Sequence, residues 1–285
     1  QRRLGGDQSP GRWFLLATTA ALVLTGALLV WRPEKLSWAL MAFGLVVVFA
    51  VPGFLLRSRR HRARQEVAIA LHRRDWSGAV AVARARPRDL AADRALQVDV
   101  ALAVALAGDR AGGLAALEAL GADPAPLPVA LLCASIVAET VDPGRAVRAA
   151  ERAVALLSQD AGALGVLARA LRRAGRQAEA ATPIEQALAL DPEAGVLHAI
   201  QGALALDRGD VAVARAMIER ALELSPGEAF TLVVRAEVAL AGDDAVVAAT
   251  AVADAVSAAR AAPFTFLDDA ARTLEERLNA RPRSA

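Results

Sequence analysis

The feature that most constrains this chain is a 34-residue pattern that recurs between residues 161 and 256. Its first copy carries two runs of apolar or small residues: Leu164, Leu167, Ala168 and Leu171, then Ala178, Ala180, Ile184, Ala187, Leu188 and Leu190. Spacings of three and four place each run on one face of a helix. Gly175 separates the runs and suits a left-handed helix end, while Pro192 suits the first turn of the next helix. The pattern predicts a pair of amphipathic helices.

The pattern returns 34 residues later at Gly202, Gly209, Ala214, Ile218, Ala221 and Pro226, and again at Ala236, Ala248, Val252 and Ala255. Small residues at these points let helices approach closely, because larger side chains would strain the packing. The unit resembles a tetratricopeptide repeat (TPR), a helix-turn-helix that stacks into a solenoid. The resemblance implies an all-α fold, a right-handed TPR α-solenoid of about six helix pairs over 66–262. The clearest repeats are 161–194, 195–228 and 229–262.

Aspartates predict helix starts in the less regular first half of the solenoid. Asp75, Asp109 and Asp142 each precede a helical run and are suited to accept a hydrogen bond from its first turn. After the solenoid, residues 263–279 predict a capping helix, with Thr265 and Asp268 as a capping box. Its apolar stripe, which would cover the last hairpin, is Leu267, Ala271, Leu274 and Leu278. Residues 280–285 are expected to be a disordered tail.

Two apolar segments near the amino terminus predict a transmembrane hairpin. Residues 13–31 and 36–56 are 19 and 21 residues without a charge. Each would cover about 30 Å as a helix, the thickness of a bilayer core. The four residues between them leave room only for a tight turn. Ala17, Ala21 and Thr25 form a small-residue stripe that suits close helix packing in lipid, although a stripe of plain lipid-facing residues is the alternative.

Basic residues predict the orientation of that hairpin. The tail 1–12 and the segment 57–65 are rich in arginine, so the positive-inside rule places both termini and the repeats in the cytoplasm. A cleaved signal peptide is the weaker alternative, because a second span follows at once. Arg57, Arg59 and Arg60 either contact anionic lipid headgroups or serve only as a topology signal. The Ala- and Arg-rich, Lys-poor composition favours a bacterial inner membrane.

The order of these parts is similar to that of HemY-type membrane TPR proteins, in which a membrane hairpin and a basic segment precede the repeats. This resemblance is one of layout, and it implies no heme-related role.

Enzyme chemistry has little support in this sequence. The single cysteine, Cys133, and the three histidines, His61, His72 and His198, lack metal-ligand spacing. We therefore expect no catalytic, metal or cofactor site. Residues 1–64 carry 10 Lys or Arg and 2 Asp or Glu, whereas the remainder carries 23 and 29. The acidic balance of the repeats argues against nucleic acid as their partner.

The TPR resemblance also implies where a partner would bind. In TPR solenoids the first helix of each pair lines a concave groove. Here that face maps to Val166, Arg169, Arg172 and Arg173, to Ile200, Ala203 and Asp207, and to Val233, Glu237 and Leu240. The arginines either pair with a partner's carboxylates or lie solvated at a helix end.

These observations predict a membrane-anchored scaffold or assembly factor that binds a partner helix or extended peptide. The alternative is an integral structural subunit of a larger membrane complex, with the hairpin making the main contacts.

Overall fold

The computed structural model describes residues 62–122, 125–242, 244–261 and 267–280. The predicted hairpin, its packing stripe Ala17, Ala21 and Thr25, and the basic residues Arg57, Arg59 and Arg60 lie outside these ranges, and so does the HemY-type layout. No helix within the described ranges has the length and apolar character that crossing a bilayer requires. The chain divides after Gln65 into two units, and the second, Glu66–Ala285, contains the repeats.

All regular structure in the described ranges is helical, with fourteen helices and no strand. The helices are α1 (62–72), α2 (Trp76–Ala85), α3 (Pro87–Ala91), α4 (Arg94–Leu106), α5 (Arg110–Leu120), α6 (Pro128–Ala138), α7 (Pro143–Leu156), α8 (Ala161–Arg173), α9 (Gln177–Leu190), α10 (Gly195–Asp207), α11 (Val211–Leu224), α12 (Ala229–Ala241), α13 (Ala245–Ala261) and α14 (Asp268–Asn279).

Successive helices pack as hairpins that stack along the chain. The pairs α4–α5, α6–α7, α8–α9, α10–α11 and α12–α13 pack tightly, and the first helix of each pair also contacts the first helix of the next. The predicted stack of helix pairs is therefore confirmed.

The short helix α3 was not predicted. It begins at Pro87, a residue that fixes a helical φ at a first turn.

Glycines in the left-handed conformation end three of the first helices. Gly108, Gly175 and Gly209 have φ of 110°, 74° and 84°. The amide of the following residue reaches back five positions in each case, as in the bond from Arg176 N to Leu171 O at 2.9 Å. This bond is the signature of a Schellman motif. The predicted role of Gly175 is confirmed.

Prolines at the repeat boundaries behave differently from the prediction. Pro192 lies in the turn between α9 and α10, and α10 begins three residues later at Gly195. The prediction that Pro192 belongs to the first turn of that helix is therefore wrong.

Two residues of the predicted α9 stripe, Ala178 and Leu190, are exposed, so the buried stripe of α9 is narrower than expected.

Aspartate caps start several helices as predicted. The Asp75 and Asp109 carboxylates each accept a backbone hydrogen bond at 2.8 Å, from Gly78 N and Gly112 N. Asp142 accepts one from Arg145 N at 3.0 Å. The capping box predicted for the last helix is wrong in its register, because α14 begins at Asp268 and its N-cap is Leu267. Thr265 lies outside the described residues.

The core depends on small side chains at the helix crossings. Ala168, Ala180, Ala187, Ala214, Ala221, Ala236, Ala248 and Ala255 are fully buried. Gly113 on α5 lies very close to α4, since a Cβ there would stand 2.6 Å from Ala101 O and from Ala105 Cβ. Any larger residue would force α4 and α5 apart, as the sequence pattern suggested.

A matched pair of Gly→Ala substitutions tests this close packing. We expect Gly113→Ala to lower the free energy of unfolding by about 1–2 kcal/mol, because overpacking outweighs the gain in helix propensity. Gly144→Ala is the control, since its Cβ would meet only side-chain atoms of Asp142 and Arg148 at 3.3 and 3.4 Å. That change should alter stability by less than about 0.5 kcal/mol. Equal urea midpoints for the two variants would contradict the packing argument.

Candidate partner-binding site on the inner face

The first helices α6, α8, α10 and α12 form one face of the repeat stack, which we call the inner face. An open hollow of about 350 Å³ lies on it. The hollow is lined by Glu139, Arg169, Arg173, Val196, Phe230 and Glu237, and by one side of α14. The sequence predicted that function would reside on the face of the first helices, and this hollow is a concavity on that face.

Arg172 ties three of these helices together. Its Nε and Nη2 donate to the two carboxylate oxygens of Asp207 at 2.6 and 3.0 Å, and Nη2 also donates to Glu237 Oε2 at 3.0 Å. The arginine side chain is only 9% exposed. Burial by itself would lower the pKa of the Arg172 guanidinium, but the hydrogen bonds and charges of Asp207 and Glu237 raise it, so Arg172 stays charged.

Arg169, one turn before Arg172 on α8, also pairs with an acidic residue of a neighbouring helix. Its Nε donates to Glu139 Oε1 at 2.7 Å, at the end of α6. Its guanidinium also lies 5.4 Å from the ring centre of Phe230 on α12, within range of a cation–π contact. The idea that Arg169 and Arg172 await a partner's carboxylates is therefore corrected, since the protein's own acids already bind both.

The apolar residues predicted to line the groove lie in the core. Ile200, Ala203 and Val233 are 4%, 0% and 1% exposed, and Leu240 is 7% exposed. Val166 is half-buried and packs against the same core. Each first helix is covered by its own second helix and by the neighbouring pair, so only a narrow strip of it stays open. A partner cannot contact Ile200, Ala203 or Val233 in this structure.

Arg173 is the predicted arginine that remains available. It is exposed at the hollow, and no ion pair to it is seen among the described residues. Arg277 on α14 reaches the same hollow and is likewise exposed. Sequence reasoning missed Arg277, because nothing in the repeat pattern places the last helix against the inner face.

The C-terminal helix α14 contacts both ends of the repeat stack. Its residues Ala271 and Leu274 are 4% and 2% exposed and pack into the cluster formed by α12 and α13. At its start, Asp268 pairs with Arg74 at 3.3 Å and Asp269 pairs with Arg110 at 2.5 Å. Arg74 lies in the turn after α1, and Arg110 is the first residue of α5. The predicted cover of the last hairpin is confirmed, and the contact with the first two hairpins was not predicted.

The nucleophile and metal-ligand candidates are accounted for structurally. Burial, together with the nearby charge of Asp99, raises the pKa of Cys133 to about 11, so its thiolate is scarce at neutral pH. The His198 Nε2 lies 2.9 Å from Pro192 O and ties the turn to α10. Groups of three or more potential metal ligands are absent from the described parts of the chain.

These helix pairs define the class of the fold, a TPR-like α-solenoid. The chain is similar to a tetratricopeptide repeat protein from Parabacteroides merdae, with a TM-score of 0.63 and 14% identity over 93% of this chain and 99% of that one. It is also similar to TTC0263, a thermophilic TPR protein in Thermus thermophilus, with a TM-score of 0.53 and 20% identity over 66% of this chain and all of that one.

A third structural neighbour is the APC/C hetero-tetramer Cut9–Hcn1. It matches with a TM-score of 0.50 and 15% identity over 92% of this chain and 46% of that one. At such identities the likeness establishes the fold alone. No family profile and no curated protein matches the sequence.

Two arginines near the α8–α9 turn test the role of the ion pairs. We expect Arg172→Leu to lower the free energy of unfolding by about 3 kcal/mol, because Asp207 and Glu237 would be left without their counterion in a largely buried site. Arg176→Leu is the control, since Arg176 pairs with Glu179 in solvent at 2.6 Å. Exposed pairs contribute little, so this control should shift the urea midpoint only slightly. A similar shift in both variants would show that Arg172 does not tie the helices together.

Proposed function

We propose that this protein is a scaffold or assembly factor that binds protein partners on the inner face of its repeats and is anchored in the bacterial inner membrane. The binding role is supported by the TPR-like fold and by the hollow on the inner face. The anchoring rests on the sequence of residues 13–31 and 36–56, and the cytoplasmic placement of the repeats rests on the arginines that flank them. One structural neighbour, the Cut9–Hcn1 hetero-tetramer, is itself an assembly of different chains.

The charge balance of the hollow carries the binding proposal. Its four carboxylates already have partners: Glu139 binds Arg169, Glu237 binds Arg172, Asp269 binds Arg110, and Glu228 accepts from Phe230 N and Thr231 N at the start of α12. Arg173 and Arg277 stand at the same hollow without such partners among the residues described. The hollow therefore suits a partner segment that supplies a carboxylate.

Apolar residues also line the hollow, so a partner needs an apolar group in addition to a carboxylate. Ile136 and Val196 line it beside the charged groups, and both are partly exposed. Burying apolar surface supplies most of the affinity in such a site, and the charged pair fixes its register. A helix or extended peptide with one apolar anchor next to an acidic residue meets both requirements. This is the partner chemistry that we propose.

The alternative function is an integral subunit of a membrane complex. It is favoured by the small residues Ala17, Ala21 and Thr25 in the first apolar segment, which suit close contact with another membrane helix. In that case the membrane segments, and not the inner face, would hold the partner.

Partner capture from native membranes separates these two functions. The full-length protein and its Arg173→Glu/Arg277→Glu variant are purified in mild detergent, and co-purifying proteins are quantified by mass spectrometry. We expect the variant to lose partners by about tenfold or more, since two favourable charges become repulsive. The matched control is Arg84→Glu/Arg260→Glu, which reverses two exposed arginines on the second helices α2 and α13. Partners that persist in the first variant would favour the subunit role and overturn the inner-face proposal.

Protease accessibility tests the membrane orientation. We expect the repeats to be digested in inverted inner-membrane vesicles, whose cytoplasmic side faces outward, and to be protected in right-side-out spheroplasts. Known cytoplasmic and periplasmic proteins serve as controls for sealing. Protection in inverted vesicles would place the repeats on the opposite side. Recovery of the intact full-length protein in the soluble fraction would contradict anchoring altogether.

A further inference from the structure

The helix α14 packs against the last hairpin and forms one side of the hollow on the inner face. It borders the hollow with Ala270, Thr273, Leu274 and Arg277, and it buries Ala271 and Leu274 against α12 and α13. It is the last helix described, and it belongs to none of the hairpins. The apolar contacts are made by a single stripe, as in many helix-in-groove complexes.

Two ion pairs hold the start of this helix to distant hairpins. Asp268 and Asp269 reach Arg74 and Arg110, which are 194 and 159 residues earlier in the chain. These side chains are about one-third to one-half exposed. Pairs of this exposure are weak and screened by salt, so they can open without the repeats unfolding.

Arg74 has an unusual backbone conformation at the turn from which its side chain contacts α14. Arg74 has a φ of 58°, the left-handed conformation that Gly108, Gly175 and Gly209 adopt at the corresponding turns. The amide of Asp75 bonds to Ala70 O at 2.9 Å, so the turn has the same Schellman geometry. A residue with a Cβ is strained there, and such strain tends to be kept where the side chain has a use. The Arg74 side chain makes two contacts, the bond to Asp268 and a cation–π contact with Trp76, whose ring centre lies 5.9 Å away.

We propose that α14 covers part of the partner site, the surface of the last hairpin beside the hollow, and that the partner displacing it is an amphipathic helix of the same chemistry. Such a helix begins with two adjacent carboxylates, for Arg74 and Arg110, and continues with apolar residues at the spacing of Ala271, Leu274 and Leu278. Arg173 lies on α8, stays in place when α14 leaves, and adds positive charge at the hollow, which further favours an acidic helix. This inference rests on the proposed function, since it specifies which partner the inner face accepts.

A peptide of residues 267–280 is the probe for this site. Its binding to the full-length protein in detergent is followed by fluorescence anisotropy, and the amide exchange of α14 is measured in parallel. In Asp268→Arg/Asp269→Arg the helix is repelled by Arg74 and Arg110, so its amides should lose protection. The peptide should then bind this variant about tenfold more tightly than the wild type, because the tethered competitor has been weakened.

Three controls isolate the two ion pairs. Glu275→Arg/Glu276→Arg makes the same charge change about two turns later on α14, and it should leave both peptide binding and amide exchange as in the wild type. A peptide with both aspartates changed to arginine should not bind the opened variant. Adding Arg74→Asp/Arg110→Asp to Asp268→Arg/Asp269→Arg should restore the amide protection of α14. The resulting variant should not bind the original peptide. This last variant also shows that the substitutions do not merely unfold the chain.

Each outcome decides the inference. Loss of α14 protection without gain of peptide binding would make α14 a plain terminal cap and overturn the proposal. Unchanged protection in Asp268→Arg/Asp269→Arg would overturn it as well. Either result leaves the capture experiment with Arg173 and Arg277 as a separate test of the binding function. Tight peptide binding to the opened variant, together with no captured partner, would support the site and overturn the scaffold function.

Discussion

Close approach between helices is the constraint on which the rest of this structure depends. Fully buried alanines stand at the crossings of successive pairs, and Gly113 lies so near α4 that even a methyl group would not fit. Short distances between helices allow many contacts from small side chains, which replaces the large aromatic residues that this sequence mostly lacks. They also fix the path of the stack, because each pair can sit on its neighbour in only one way.

That tight packing leaves little of each first helix for binding. The core buries Ile200, Ala203 and Val233, so the inner face is mainly a strip of long side chains. Arg172 and Arg169 pair with acids on neighbouring helices within this strip. These ion pairs align the helix pairs, because each one joins the first helices of different pairs. Binding capacity is left to Arg173, Arg277 and the apolar wall.

The C-terminal helix links the two ends of the repeat stack. Its apolar stripe covers the last hairpin, while its first two residues reach the turns of the first two hairpins. Solenoids usually rely on contacts between neighbouring repeats alone. Here a few weak long-range ion pairs are added to that pattern. Because they are weak, they can respond to a competing acidic helix or to salt while the core stays intact.

The sequence by itself determined the helix pairs, the glycine turn at Gly175 and the aspartate caps, because spacing, φ preference and first-turn hydrogen bonds are local properties. The repeat register placed Arg172 and Asp207 on the same face, but their pairing was seen only in the structure. Only the tertiary structure decided that Glu139 and Phe230 would engage Arg169, and that Asp268 and Asp269 would reach Arg74 and Arg110. Those contacts depend on how small rotations between pairs add up along the stack, and no local pattern in the sequence encodes that sum.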